Sequence, residues 1–275
     1  MIIDSHQHFW YYNSEKHSWI DDSMSVIRRD FMPSDLQKVY QENNIDGCVA
    51  VQADQTLIET EFLLDLAVKN SFIKGIVGWV DLRSDDIGAV LEEYGGYKEI
   101  KGFRHVVQGE ADPNFLLRPQ FLKGISGLEK HGFTYDILIF PHQLAAALEF
   151  VKAFPNQKFV IDHIAKPYIK DGFFDGWEVL IKEISKYENV YCKLSGMITE
   201  ADFKTWTPTQ IEPYMNVILN AFGCKRILFG SDWPVCLVAG NYKQVKQLVT
   251  NFIADLSKDE QADIMGNNAI KFYNL

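Results

Sequence analysis

Cationic side chains are in short supply: 27 lysines and arginines face 37 aspartates and glutamates, a formal net charge of −10 at pH 7. Nucleic acids and anionic membrane surfaces are held through clustered Lys and Arg, so both are excluded as partners. Cysteine is equally sparse. Cys48, Cys192, Cys224 and Cys236 lie far apart and form no C-x-x-C pair, which excludes a disulfide scaffold and a thiolate zinc site. Two of them fall in apolar, strand-like runs, so buried free thiols in a reducing cytoplasm are expected. No apolar run reaches the roughly 18 residues of a membrane span. The opening Met1-Ile2-Ile3-Asp4 has neither the basic nor the apolar segment of a signal peptide. The expected location is therefore the cytoplasm. A Gly-rich phosphate loop is also missing, which argues against nucleotide chemistry. Neither an internal repeat nor a low-complexity segment interrupts the chain.

What is present is core material: 47% hydrophobic and 13% aromatic residues over 275 positions. The first strand begins at Ile2 and Ile3 and runs into Asp4-Ser5-His6-Gln7-His8. Further strand-like runs occupy residues 48–52, 75–82, 100–105, 134–140, 158–163, 190–194 and 226–230, and each is followed by a helical run. Ser34 with Gln37, Thr56 with Glu59 and Ser257 with Glu260 read as capping boxes at helix starts. Alternating strand and helix implies parallel strands covered by helices, and eight such units close into a barrel. The expectation is one α/β domain over residues 1–275, a single (β/α)8 barrel. It carries an extended loop after its first strand and an extra C-terminal helix. An open doubly wound sheet is the alternative, but it lacks its G-x-G-x-x-G after the first strand.

In such a barrel the chemistry sits where strands run into the following loops. The strand ends here deliver His6 and His8, Gln52, Asp81, Arg104 and His105, Asp162 and His163, Lys193 and Ser195, then Ser231 and Asp232. Side chains alternate along a strand, so His6 and His8 point the same way and converge on one substrate atom or one metal ion. The plainer alternative makes one a turn cap and the other a satisfied core group. Lys193 and Ser195 read equally as structural hydrogen-bonding residues or as substrate contacts. The loop of residues 10–32 holds Trp10, Tyr11, Tyr12, Trp19, Arg28 and Arg29. It suits either a lid over a polar ligand or aromatic packing on the barrel rim.

Three segments, Asp4-Ser5-His6-Gln7-His8-Phe9-Trp10, Ile161-Asp162-His163-Ile164-Ala165-Lys166-Pro167 and Phe229-Gly230-Ser231-Asp232-Trp233-Pro234, resemble the amidohydrolase superfamily. Val51-Gln52-Ala53 and Lys193-Leu194-Ser195-Gly196 resemble its sugar-lactonase branch, the L-fuconolactonase and L-rhamnonolactonase type. The resemblance implies a (β/α)8 barrel in which His6, His8, His163 and Asp232 carry the reaction. It also marks a departure from two-metal members, which place a carboxylated Lys on strand four or a further His on strand five. Here strand four ends in Arg104-His105, and Tyr135 to Phe140 holds no His. A two-metal site is therefore not expected, and resemblance to the lactonase branch implies that no metal is required. A single divalent ion such as zinc on His6, His8 and Asp232 is the alternative.

The expected reaction is hydrolysis of a small sugar lactone to the aldonic acid. Asp232 takes a proton from water and returns it to the ring oxygen. His6, His8 and His163 polarise the carbonyl, while Arg104, His105, Trp10 and Lys193 contact the substrate. A homo-oligomer is compatible with this composition. The competing readings are a metal-dependent decarboxylase, another hydrolase of the same superfamily, and a barrel that binds sugar acids without turnover.

Overall fold

A computed structural model describes residues 1–275. The strands are β1 (Ile3–Gln7), β2 (Gly47–Val51), β3 (Ile73–Gly78), β4 (Ile100–His105), β5 (Thr134–Ile137), β6 (Phe159–Ile161), β7 (Val190–Leu194) and β8 (Ile227–Phe229). All neighbours pair in parallel, in sequence order. The seam between β8 and β1 is stitched by His8 N–H donating to Trp233 O (2.7 Å) and Asp232 N–H donating to His6 O (2.8 Å). The result is a nearly closed (β/α)8 barrel, as the strand and helix rhythm predicts. No helix is long and apolar enough to cross a membrane.

The strands expected over residues 75–82, 134–140 and 158–163 end early, at Gly78, Ile137 and Ile161, the last where Asp162 opens a 3-10 turn. Helix α1 (Pro33–Asn43) starts two residues earlier than the Ser34 cap predicts: Met32 takes the cap position, Pro33 occupies the first turn, and Asp35 accepts from Met32 N–H at 3.0 Å. Thr56 does cap α2 (Leu57–Lys69), accepting from Glu59 N–H at 3.2 Å. Glu59 does not complete that box. Its Oε1 accepts instead from Ala53 N–H at 2.9 Å, tying the loop after β2 to the helix. The Ser257 and Glu260 box is present, but the helix behind it is broken into Lys258–Ala262, a π turn at Asp263–Asn267, and a last helix at Asn268–Tyr273. The long loop after β1 contains a 3-10 turn, Asp22–Ile27.

Inside the barrel the lower layer is apolar. Ile3, Val49, Val51, Val77, Val160 and Leu228 form one cluster with Ala269, Phe272 and Tyr273 of the C-terminal helix, which plugs the floor. The helices pack outside it through a much larger core, from Phe9 and Trp10 round to Met265. At about 25 cal/mol per Å² of apolar surface removed from water, burial of these two layers is the main force holding the fold together.

A register break in β1 decides what lies above the apolar floor. Ile3 pairs with Gly47 and Asp4 with Cys48, but Gln7 pairs with Ala50, so β1 spends one residue more than β2 over the same span. Without this bulge Ile3 and His6 would face opposite ways. With it, Ile3 faces the interior, Asp4 turns outward to Tyr40 and Tyr242, and His6 and His8 turn back inward.

Glu59 gives a stability test. Burial pushes its carboxyl up to about 7, from a reference of 4.5, against the pull of the Ala53 N–H. A folded-state value above the unfolded one means stability that is full below about pH 4.5 and is lost as pH rises through about 7. Glu59→Gln keeps the oxygen acceptor and removes the titration. It is expected to match the parent near pH 5 and exceed it by roughly 1–2 kcal/mol near pH 8.5, measured by urea unfolding at both values.

Candidate active site

The upper half of the barrel is charged and buried. Arg104 (β4), Asp136 (β5), Lys193 (β7), Asp162 (just after β6) and His6 (β1) all point into it, and each is buried. Asp162 is the hub. Its Oδ2 accepts from Arg104 Nη1 at 3.0 Å, while its Oδ1 lies 2.9 Å from Lys193 Nζ and 3.2 Å from His6 Nδ1. Lys193 also donates to Asp136 Oδ2 at 2.5 Å, and that oxygen takes a further bond from the Tyr273 hydroxyl at 2.8 Å. Arg104 Nη2 reaches Gln52 O (2.5 Å) and Gln52 Oε1 (3.1 Å), which accounts for the polar end of β2.

The titration directions follow from this geometry. Burial alone would raise Asp162, but Lys193, His6 and Arg104 together hold it well below the usual carboxylate range. Asp136 is pushed up to about 6 by burial, against the pull of Lys193. Burial drives His6 well below the ordinary imidazole value despite Asp162, and takes His163 down to about 4 despite Asp232.

Above this layer, four groups converge. His6 Nε2 and His8 Nε2 are 3.2 Å apart, and Asp232 Oδ1 lies 3.4 Å from His8 Nε2 and 3.9 Å from the Nε2 atoms of both His6 and His163. Burial works against the charge on Asp232, but His163, His8 and His6 outweigh it and keep the carboxylate ionised. His163 arrives through a left-handed turn: His163, Ile164, Ala165 and Lys166 all have φ between 48° and 60°. Left-handed backbone costs roughly 1–2 kcal/mol per non-glycine residue. The turn is held by Trp177 Nε1 donating to Ile164 O (2.7 Å) and by a 2.9 Å bond between His163 Nδ1 and Ser195 Oγ. Two glycines leave room for the rings. A Cβ on Gly196 would stand 2.5 Å from His163 Nδ1, and one on Gly230 would stand 2.8 Å from His6 Cβ.

His8, His163, Asp232 and Arg104 line a cavity of about 480 Å³ whose outer wall includes Lys16, Trp19, Gln108, Lys166 and Glu200. The remaining residues expected to touch substrate lie behind its wall. Trp10 is buried, donates through Nε1 to Arg29 O, and packs on His17, Trp19 and Phe31. His105 is bonded to Glu110 at 2.7 Å and stacked on Phe115. Lys193 is committed to Asp136 and Asp162. Asp81 pairs with Arg83 on the surface. In place of these, the loop after β1 contributes Trp19 and Met24 to the cavity wall.

A family model described as amidohydrolase matches residues 3–275. The chain belongs to the amidohydrolase family. It is 36% identical to an L-fucono-1,5-lactonase of Burkholderia multivorans, over 99% of this chain and 96% of that one. An L-rhamnono-gamma-lactonase of Scheffersomyces stipitis is 28% identical over 64% of this chain and 59% of its own length. A crystal structure of a Burkholderia multivorans amidohydrolase with bound zinc superposes with a TM-score of 0.96 at 36% identity, covering 100% of this chain and 99% of that one.

The donor set of this amidohydrolase fits one divalent ion. His8 Nδ1 donates to Val51 O at 2.8 Å, so in a neutral ring Nε2 has only a lone pair to offer. That lone pair faces a carboxylate oxygen, Asp232 Oδ1, at 3.4 Å, and two acceptors at this distance call for a cation or a proton between them. Donor separations of 3.2, 3.4 and 3.9 Å suit ligand bonds of about 2.0–2.2 Å. The same hydrogen bond to Val51 removes neutral His8 from the set of carbonyl donors expected from sequence. The charge balance agrees. Asp136, Asp162 and Asp232 outnumber Arg104 and Lys193 among the buried charges of this interior.

Two site residues carry roles that strand ends do not reveal. Asp136 lies inside β5 rather than at its end, and Asp162 stands beside His163 with nothing local to mark it as a hub. The signal for both is the same: an acidic residue in or against an apolar strand needs a buried cation, and Lys193 and Arg104 are those cations. Lys193→Met leaves Asp136 without a cation and Asp162 with Arg104 alone, and is expected to cost about 3–5 kcal/mol of stability. Adding Asp136→Asn to it should recover a substantial part of that loss; denaturant midpoints of the two variants measure this.

Proposed function

We propose that this amidohydrolase is a sugar lactonase, a carboxylic-ester hydrolase that opens a hydroxylated lactone of the L-fucono-1,5-lactone type to the aldonic acid. The carrying observation is the Asp232 carboxylate set among His6, His8 and His163 at the inner end of a cavity large enough for a monosaccharide ring. The kinship to a lactonase over nearly the whole chain supports it.

Asp232 is the base. It accepts a proton from the water that attacks the lactone carbonyl carbon, and the carbonyl electrons move onto the oxygen. His163 Nε2, on a residue lining the cavity, supplies a hydrogen bond for that oxyanion. When the tetrahedral centre collapses, the bond to the ring oxygen breaks. Asp232 returns its proton to that oxygen, leaving a hydroxyl and a carboxylate. His6, His8 and Asp232 are the residues that would hold a divalent ion, which when bound polarises the carbonyl and favours ionisation of water.

A decarboxylase reading fits less well. Its substrates are carboxylates and call for an unpaired cation, whereas each cation of this cavity already has an anion: Lys16 with Asp54 (4.0 Å), Lys166 with Glu200 (3.2 Å) and Arg104 with Asp162 (3.0 Å).

Asp232→Asn is expected to lower kcat by about 10²–10⁴ on L-fucono-1,5-lactone, followed as proton release. Near-normal turnover in that variant removes Asp232 from the mechanism. Dialysis against a strong chelator is expected to lower both the bound-metal content, measured by atomic emission, and the rate, with zinc restoring both. Full activity in metal-depleted protein leaves Asp232 and His163 to carry the reaction without an ion.

A further inference from the structure

The outer wall of the cavity carries a feature that the reaction does not use. Lys166 leaves the left-handed turn after β6, and Glu200 sits on the loop after β7. Their side chains meet at 3.2 Å, each less than one-fifth exposed, and both line the cavity. The pair is tethered from both sides, since Lys170 N–H donates to Glu200 O (3.0 Å) and Lys166 N–H donates to His163 O (2.8 Å). The turn that aims His163 at Asp232 therefore also fixes Lys166. A short distance round the wall, Gln108 keeps a carboxamide oxygen buried with no partner.

An exposed surface pair of this kind would contribute little. Held in a cavity wall, it offers something specific. An ammonium has three hydrogens and this one gives one to Glu200, so donors remain; the carboxylate keeps acceptor sites on both oxygens. A donor and an acceptor about 3 Å apart match two neighbouring hydroxyls, each of which both donates and accepts. Being neutral as a pair, they attract no anion.

Resting on the lactonase reading, we propose that Lys166 and Glu200 form the specificity-determining subsite of this enzyme, which reads a vicinal diol on an uncharged lactone ring. The subsite binds hydroxyls away from the carbonyl and leaves the chemical step to Asp232. Substrate discrimination in this enzyme is then a matter of KM.

The test compares L-fucono-1,5-lactone with δ-valerolactone, a six-membered lactone without hydroxyls, in the parent, Lys166→Met and Glu200→Gln. On the hydroxylated lactone each substitution is expected to raise KM about 10–100-fold, the loss of one or two hydrogen bonds to a charged group, with kcat held within about threefold. On δ-valerolactone the constants of all three proteins should agree within about twofold. Equal losses on both lactones, or losses confined to kcat, overturn the proposal. Glu200→Gln preserves shape and carries the test if Lys166→Met does not fold. A parent protein inert on both lactones removes the lactonase reading and this subsite with it, whereas an active parent with indifferent variants removes the subsite alone.

Discussion

One carboxylate organises the interior of this barrel. Asp162 is fully buried and touches Arg104, Lys193 and His6, drawn from β4, β7 and β1. Burying an ion without partners costs several kcal/mol, so each of these groups is tolerable only because the others are present. Their positions are correspondingly fixed, and they support the cluster of His8, His163 and Asp232 above them. The apolar cluster beneath closes the barrel from below and keeps water from screening the charges. Tyr273 joins the two layers: its ring packs in the cluster, and its hydroxyl reaches Asp136.

The barrel itself was legible in the sequence because it rests on periodicities. Eight apolar runs alternating with amphipathic ones leave few other ways to bury the apolar faces. The converging polar residues were legible for a related reason: His6, His8, His163 and Asp232 stand at or just past the ends of strands, where a polar group needs a purpose. What stayed hidden depends on distances between strands. Lys193 and His105 stand at strand ends no differently from Arg104, yet Lys193 is absorbed by two carboxylates and His105 by Glu110. Only pairing partners on other elements separate these cases. Trp10 is similar. Its aromatic character fits a lid or a core equally, and Phe31 and Trp19 settle it as core.

Local chemistry also misled where tertiary demands were stronger. Glu59 is placed to complete a capping box with Thr56, yet it is drawn to Ala53 N–H because the loop after β2 has to be fixed against the cavity. The left-handed run from His163 to Lys166 contains no glycine and includes a β-branched residue, so no turn rule anticipates it. Strain of this kind persists only when its surroundings impose it, and it recurs at functional sites.

The extra residue in β1 bears on how such a site tolerates change. Substitutions along β1 act one side chain at a time, each judged by the neighbours it meets. Loss or gain of a single residue between Asp4 and His6 acts on parity. It would turn both imidazoles toward the helices and swing their neighbours inward, with the composition of the strand almost unaltered. For this segment the length of the chain fixes which side chains face the cavity as firmly as their identity does.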